Sequence, residues 1–70
     1  MIGPGEIQEL LDKATFERFR IRMADGSQHD VHNAEVVAVM EQIVYLAKPK
    51  ENWISLSYEG IISLEGLEND

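Results

Sequence analysis

The feature of this chain that could do chemistry is a set of three arginines at alternate positions, Arg18, Arg20 and Arg22. On a β-strand, residues two apart lie on one face, about 6–7 Å from each other. This spacing is close to that of phosphates along a single nucleic-acid strand, and a guanidinium can bind a phosphate through two hydrogen bonds. The arginines therefore suggest an RNA-binding surface. The simpler interpretation is the solvent side of a hairpin, where arginines pair with residues of the next strand.

The charge of the whole chain argues against general affinity for nucleic acids or membranes. Thirteen acidic and six basic residues give a net charge of -7, and both kinds of binding depend on lysine and arginine. RNA binding would therefore need a local basic surface, formed by the three arginines. Trp53 could add to it by stacking on a base, or could contact a partner protein. The alternative for Trp53 is a half-buried position at the rim of the fold.

The remaining polar residues do not predict an active site or a metal site. His29 and His32 are three residues apart on a predicted strand, so their side chains point to opposite faces and cannot bind one metal ion together. The chain has no cysteine, which excludes disulfides and thiolate metal ligands. No serine, histidine and carboxylate stand at a recognisable catalytic spacing. We expect a protein that is not an enzyme, with no catalytic residue, no metal and no cofactor.

The elements that position these residues begin with a short helix. Seventy residues allow one domain, in which residues 4–13 are predicted to be helical. Pro4 suits a first helical turn, and Ile7, Leu10 and Leu11 form an apolar stripe. No segment has the length of a membrane-spanning helix, and the first residues lack the features of a signal peptide, so a cytoplasmic location is expected.

The arginines lie on the first strand of a predicted hairpin, where the sequence changes to a twofold alternation. A two-residue loop would place a carboxylate on the apolar face. A three-residue loop over residues 24–26, with its glycine left-handed, pairs Phe19 with Val31 and Arg20 with Asp30. Because a slip of one residue inverts every side chain, we predict the three-residue loop.

The rest of the chain is predicted to be β-structure up to about residue 65. Residues 36–40 and 43–47 are either two strands around a tight turn or one bent strand. Residues 48–52 are predicted to form a loop, 53–58 and 61–64 to form strands, and 66–70 to form an acidic tail. The expected fold is mainly β: an N-terminal helix followed by a small five-stranded antiparallel barrel over residues 16–65.

The two central apolar segments have more apolar positions than such a small barrel can enclose. We therefore expect a homo-oligomer that assembles through edge strands, with a protein partner as a further expectation. The candidate interface residues are Val37, Val39, Val44 and Leu46.

Two resemblances accompany these predictions. The segments Phe19-Arg20-Ile21 and Ala24-Asp25-Gly26, followed by Val31-His32-Asn33-Ala34-Glu35, resemble a family of short uncharacterised bacterial proteins. The closing segments, Ile54-x-Leu56 and Ile62-Ser63-Leu64-Glu65, fit the same pattern. This resemblance covers about residues 7 to 65 and implies no established function.

The order of the elements, together with Tyr58-Glu59-Gly60-Ile61-Ile62, distantly resembles Sm-like proteins. That resemblance implies an Sm-like or SH3-like barrel and a ring assembly that binds RNA around its pore. Glu59 stands where the Sm-like motif has a basic residue, so it disfavours RNA binding. The function expected from the sequence is self-association and protein interaction, with an RNA-binding ring as the alternative.

Overall fold

The computed structural model describes residues 2–48 and 50–67, which form one helix and six strands. Met1, Pro49 and residues 68–70 lie outside the described residues, and so does that part of the predicted loop and acidic tail. The loop predicted over residues 48–52 is wrong at residues 48, 51 and 52, which belong to strands. Short 3₁₀ turns occur at Ala34–Val36 and Tyr58–Gly60. The regular elements are α1 (Pro4–Leu11), β1 (Phe19–Met23), β2 (Gln28–Val31), β3 (Val37–Val39), β4 (Ile43–Lys48), β5 (Glu51–Ser57) and β6 (Ile61–Gly66).

The strands form two three-stranded antiparallel sheets, with the orders β2-β1-β6 and β3-β4-β5. The predicted mainly-β class with an N-terminal helix is confirmed. The prediction of a five-stranded barrel is wrong in strand number, because the Met40 N–H donates to the Ile43 carbonyl at 3.0 Å and closes a tight turn. Residues 36–47 therefore contain two strands.

The barrel prediction is also wrong because the strands do not close into a barrel. In the described residues no strand pairing joins the two sheets. The chain crosses between them twice, and each crossing contains a 3₁₀ turn, in which the backbone leaves the extended conformation that a continuous strand requires. In the first crossing the Asn33 side chain accepts a hydrogen bond from the Glu35 N–H at 2.9 Å, and in the second Tyr58 turns its ring into the core.

Helix α1 ends two residues before the predicted boundary. Glu6 accepts a hydrogen bond from the Gly3 N–H at 3.0 Å and so satisfies one free amide at the helix N-terminus. After the helix, Lys13 forms an ion pair with Glu17 at 3.1 Å. Ile7 is fully buried, which confirms that the predicted stripe packs on the sheets.

The register predicted for the first hairpin is confirmed. Phe19 pairs with Val31, and Arg20 pairs with Asp30. The three-residue loop is closed by hydrogen bonds from Met23 N–H to the Ser27 carbonyl and from Gly26 N–H to the Met23 carbonyl. Gly26 has a φ of +91°, in the left-handed region where glycine carries no steric penalty.

The last strand is longer than predicted and returns to the first. β6 pairs antiparallel with β1 and continues to Gly66, which the sequence had assigned to the tail. Leu67 then donates its N–H to the Arg18 carbonyl at 3.0 Å. β1 is therefore the central strand of its sheet, and its outward side chains lie between those of two neighbours.

One apolar core lies between the sheets and under the helix. Both sheets and α1 contribute, and Tyr58 also donates its hydroxyl to the Met40 carbonyl at 2.6 Å. The buried residues are Ile7, Phe19, Ile21, Val31, Val44, Leu46, Leu56, Tyr58 and Ile61.

Candidate functional site

Arg20 lies in the centre of the outer face of the β2-β1-β6 sheet and forms an ion pair across the hairpin. Its Nε donates to Asp30 Oδ1 at 2.7 Å and its Nη2 donates to Asp30 Oδ2 at 3.2 Å. Both side chains keep about a third of their surface exposed. The cross-strand pair predicted from the register is confirmed, and the guanidinium is already bound through two hydrogen bonds.

Arg22 is also paired, but with a residue of the other neighbouring strand. Its backbone lies opposite Gln28, whereas its Nε donates to Glu65 of β6. Arg18, the third arginine, is half-buried and lines a small cavity between the helix and β6. The outer face of this sheet therefore alternates positive and negative charges across its three strands.

These ion pairs change the electrostatics of the arginine surface. The hydrogen bond from Arg20 lowers the pKa of Asp30 below its usual value, and the hydrogen bond from Arg22 lowers the pKa of Glu65. Both carboxylates therefore stay ionised at neutral pH and hold the arginines. The two carboxylates offset the charges of Arg20 and Arg22, which weakens the attraction of this face for phosphate and counts against RNA binding here.

The two histidines occupy different environments. His29 is half-buried opposite Ile21 on the inner face, and its Nδ1 atom is buried without a hydrogen-bond partner. Burial lowers the pKa of His29, and nearby Lys48 adds to the effect. His32 is exposed. Across residues 2–48 and 50–67 no three histidine, cysteine or acidic side chains are grouped closely enough to hold a metal ion.

Seven neighbouring positions on the outer face of the β3-β4-β5 sheet, among the residues whose side chains the structure describes, are uncharged. The strand register places Ala38, Tyr45 and Ser55 in one row across the three strands. The neighbouring rows on this outer face are also uncharged. Charged residues make up 27% of the chain, so seven neighbouring uncharged positions are a marked departure from the rest of the surface. We call this surface the uncharged face: Ala38, Met40, Ile43, Tyr45, Trp53, Ser55 and Ser57.

Three large side chains of the uncharged face are open to solvent. Trp53 is 57% exposed, Met40 is 51% exposed and Tyr45 is 37% exposed. Trp53 lies on the side of β5 opposite the buried Leu56. Aromatic residues and methionine are enriched at protein interfaces, whereas charged residues are depleted from their centres. Exposed aromatic residues and methionine without charge give this face a composition that protein interfaces favour.

The four interface residues predicted from the sequence lie on the core side of the β3-β4-β5 sheet, not on the uncharged face. Val44 is fully buried and Leu46 is 2% exposed, both within the core of the same chain. Val37 and Val39 are half-buried and pack against that core. A contact on these strands would therefore use the alternate residues, chiefly Tyr45 and Ile43, on the uncharged face.

The sequence contained a signal for this assignment in β5. Trp53, Ser55 and Ser57 mark the outer face of that strand, and Ser55 lies opposite Tyr45. When both faces of a strand are apolar, its sequence alone does not show which side chains point outward. The pairing register with a neighbouring strand that does alternate shows it.

A groove borders the β2 edge and the end of β4, and has a volume of about 440 Å³. Its charged residues have opposite signs, Asp30 and Lys48, and Asp30 is already held by Arg20. The groove therefore has neither the paired carboxylates of acid–base catalysis nor an activated nucleophile among its lining residues. The lining residues are Gln28, Asp30, His32, Asn33, Val36, Ala47 and Lys48.

Comparisons with known proteins returned no relative: no protein-family model matches the chain, and no curated protein or solved structure matches it. Among the described residues, no helix is long and apolar enough to cross a membrane.

Proposed function

We propose that this protein is a non-catalytic interaction module whose contact surface is the uncharged face of the β3-β4-β5 sheet. The observation that carries the proposal is Trp53, a large aromatic side chain that is 57% exposed among the uncharged positions of this face. Burying exposed apolar surface against a partner contributes about 25 cal/mol per Å². A tryptophan in this position is the type of side chain that dominates binding energy at protein interfaces.

The distribution of charge supports the same proposal. The chain has a net charge of -7, which keeps most of its surface hydrated and self-repelling. Desolvation on contact costs least at the uncharged face, because none of its seven side chains is ionised. A partner would therefore bind here more readily than on the β2-β1-β6 sheet, where Arg20, Asp30, Arg22 and Glu65 form ion pairs.

RNA binding is the weaker candidate. Arg20 and Arg22 are held by carboxylates, and Glu59 adds a negative charge at the second crossing between the sheets. The proposed relationship to Sm-like proteins rests on the order of the elements, with a helix first and a last strand that pairs with the first. It supports assembly through the sheets more than contact with RNA.

The test is photo-crosslinking from a single position in the native cells of the protein. A benzophenone amino acid replaces Trp53 in one variant and Ile62 in a control variant. Ile62 is a good control because it is 61% exposed and apolar but lies on β6, in the other sheet. On irradiation we expect covalent protein adducts from position 53 and none from position 62.

Absence of adducts from position 53, or equal adducts from both positions, would overturn the proposal. The masses of the adducts identify the occupant, since a second copy adds the 7.9 kDa of this chain and another partner adds a different mass.

A further inference from the structure

Strand β2 lies at the edge of its sheet and has one open side. It is the first strand in the order β2-β1-β6, and β1 is the strand that pairs with it within residues 2–48 and 50–67. An open strand edge presents a row of backbone donors and acceptors that another extended chain can satisfy. Asp30 of this strand is bound to Arg20 of β1, so its charge is offset within the sheet and does little to repel an added strand.

The strand register shows which backbone groups of β2 point outward. In an antiparallel pair, successive residues alternate between hydrogen-bonded and non-hydrogen-bonded positions. The Arg18 carbonyl accepts from the Leu67 N–H, on the β6 side of β1. Arg20 has the same parity as Arg18, so its backbone groups also face β6. Its β2 partner Asp30 therefore directs its own N–H and carbonyl away from β1, and so does Gln28, two residues earlier.

The groove described above runs along this outward edge. Its volume of about 440 Å³ lies within the range of about 300–1,000 Å³ that is usual for binding pockets. Its lining includes three alternate residues of the β2 segment, Gln28, Asp30 and His32, and two residues at the end of β4, Ala47 and Lys48. The outward backbone groups of β2 therefore border an open space that has further walls.

The second sheet also lacks a strand beside this groove. The pairing of β3 with β4 begins at Val37 and Leu46, whereas β4 continues to Lys48. In the part of the chain that the structure describes, no strand pairs with Ala47 or Lys48 on the β3 side. The groove therefore adjoins unpaired strand segments of both sheets.

We propose that the edge of β2 binds an extended, uncharged segment of another protein, which lies in this groove and adds a fourth strand to the β2-β1-β6 sheet. The contact is on the other sheet from the uncharged face, so it goes beyond the proposed function and does not depend on it. An extended backbone suits this edge because donors and acceptors alternate along it. A small anion would bind the N–H groups and leave the carbonyl groups unsatisfied.

The charges around the groove favour a segment without charge. Lys48 and Asp30 line it with opposite signs. Asp30 is bound to Arg20, and Lys48 lies opposite Glu51 in the register of β4 with β5. A charged side chain of either sign would therefore meet repulsion as well as attraction. Threonine and valine suit the added strand, since β-branched residues favour extended backbone.

The test uses a five-residue peptide, acetyl-Thr-Val-Thr-Val-Thr-amide, and a control peptide with methyl groups on its three middle amide nitrogens. Five extended residues span about 13 Å, the reach from Gln28 to His32 at about 3.3 Å per residue. The methyl groups remove backbone donors and keep the side chains. Titration into the isotope-labelled full chain is followed by amide chemical shifts. We expect saturable shifts centred on residues 28–32, with a dissociation constant of about 1 mM or below, and at least tenfold weaker binding of the control peptide.

Hydrogen exchange then shows whether the peptide pairs as a strand. At a peptide concentration ten times the dissociation constant, exchange of the Gln28 and Asp30 amides should slow about tenfold, because about one molecule in eleven is unbound. The amides of β5, an edge of the other sheet, should keep their rates. The amide protons of Gln28 and Asp30 should also move downfield more than those of His29 and Val31, which already bond to β1.

A proline on the edge supplies the matched variant. Gln28→Pro removes an N–H that points away from β1, a position where an edge strand tolerates proline, and should weaken peptide binding at least tenfold. Gln28→Ala keeps this N–H and should bind within about twofold of the original chain.

Shifts that do not saturate by about 10 mM peptide, equal binding of the two peptides, or full binding by Gln28→Pro would each overturn the inference. Protection of β5 in place of β2 would also overturn it. So would protection of β2 that increases with protein concentration alone, since a second copy would then be the occupant. Crosslinking from position 53 tests the other sheet, so either result there leaves this one standing or falling on its own.

Discussion

At the scale of single residues, the arginine hairpin depends on one glycine. Gly26 is the residue with positive φ among those described, and at +91° it allows the three-residue loop that sets the register of β1 against β2. Asp25 reinforces the loop by accepting hydrogen bonds from the backbone and hydroxyl of Ser27, at 2.8 and 2.6 Å. The pairing of Arg20 with Asp30 therefore depends on the backbone conformation of a residue six positions from the arginine and four from the aspartate.

We expect Gly26→Ala to lower the free energy of unfolding by about 1 kcal/mol, because a Cβ is strained at this φ although no atom would clash with it. Urea unfolding followed by circular dichroism measures the change. Gly5→Ala is the control, since Gly5 lies in α1 with open space around it and alanine favours helix by up to about 1 kcal/mol. Equal effects of the two substitutions would contradict the role of the turn.

Whether an ion pair could be predicted from the sequence depended on how far apart its two residues lie along the chain. The Arg20–Asp30 pair could be predicted because the two residues belong to one hairpin, whose register follows from the parity of its apolar side chains. The Arg22–Glu65 pair could not, because it joins residues 43 apart in sequence. It depends on β6 docking beside β1, and no local pattern specifies that docking.

At the scale of elements, β4 separates the core from the uncharged face. Leu46 and Tyr45 are neighbours in sequence, yet Leu46 is buried between the sheets and Tyr45 points outward beside Ser55. Both segments around the Met40–Ile43 turn are apolar on both sides. The sequence therefore predicted strands here, but assigned the contact to the residues that face inward.

We expect Leu46→Ala to destabilise the fold by about 2–5 kcal/mol, since it removes buried methyl groups and leaves a cavity. Tyr45→Ala should change stability by less than about 1 kcal/mol, as surface substitutions generally do. Thermal unfolding at low micromolar concentration separates these effects from any association. Similar losses for both variants would show that the uncharged face belongs to the core.

At the scale of the whole molecule, the distribution of ionisable groups makes stability depend on pH. The pKa of His29 lies below its usual 6.5, chiefly because of burial, with Lys48 adding to the shift and Asp25 and Asp30 opposing it. On acidification, His29 therefore takes up its proton at a higher pH in the unfolded chain than in the folded chain. Folding loses free energy as the pH falls from 6.5 towards the lowered pKa of His29.

The acidic groups act in the same direction at lower pH. Hydrogen bonds hold the pKa values of Asp25, Asp30 and Glu65 below their usual 3.8 to 4.5. Their stabilisation is complete above those usual values and is lost as the pH falls through the folded-state pKa values. We expect two successive decreases in the free energy of unfolding on acidification, measured by urea unfolding at a series of pH values.

Matched histidine variants assign the first decrease. His29→Gln should remove the decrease that begins near pH 6.5 and keep the decrease below about pH 4.5. His32→Gln, at an exposed position in the same segment, should keep both. Stability that stays constant between about pH 7 and pH 5 in the original chain would contradict the burial of His29.

The topology has a consequence for the order in which the chain can fold during its synthesis. Residues 37–57 contain all three strands of the β3-β4-β5 sheet, so this sheet can form as soon as those residues leave the ribosome. The β2-β1-β6 sheet must wait for Ile61–Gly66, about forty residues after β1. Until then one edge of β1 stays unpaired beside Phe19 and Ile21, and we expect the nascent chain to present this half-built sheet to chaperones.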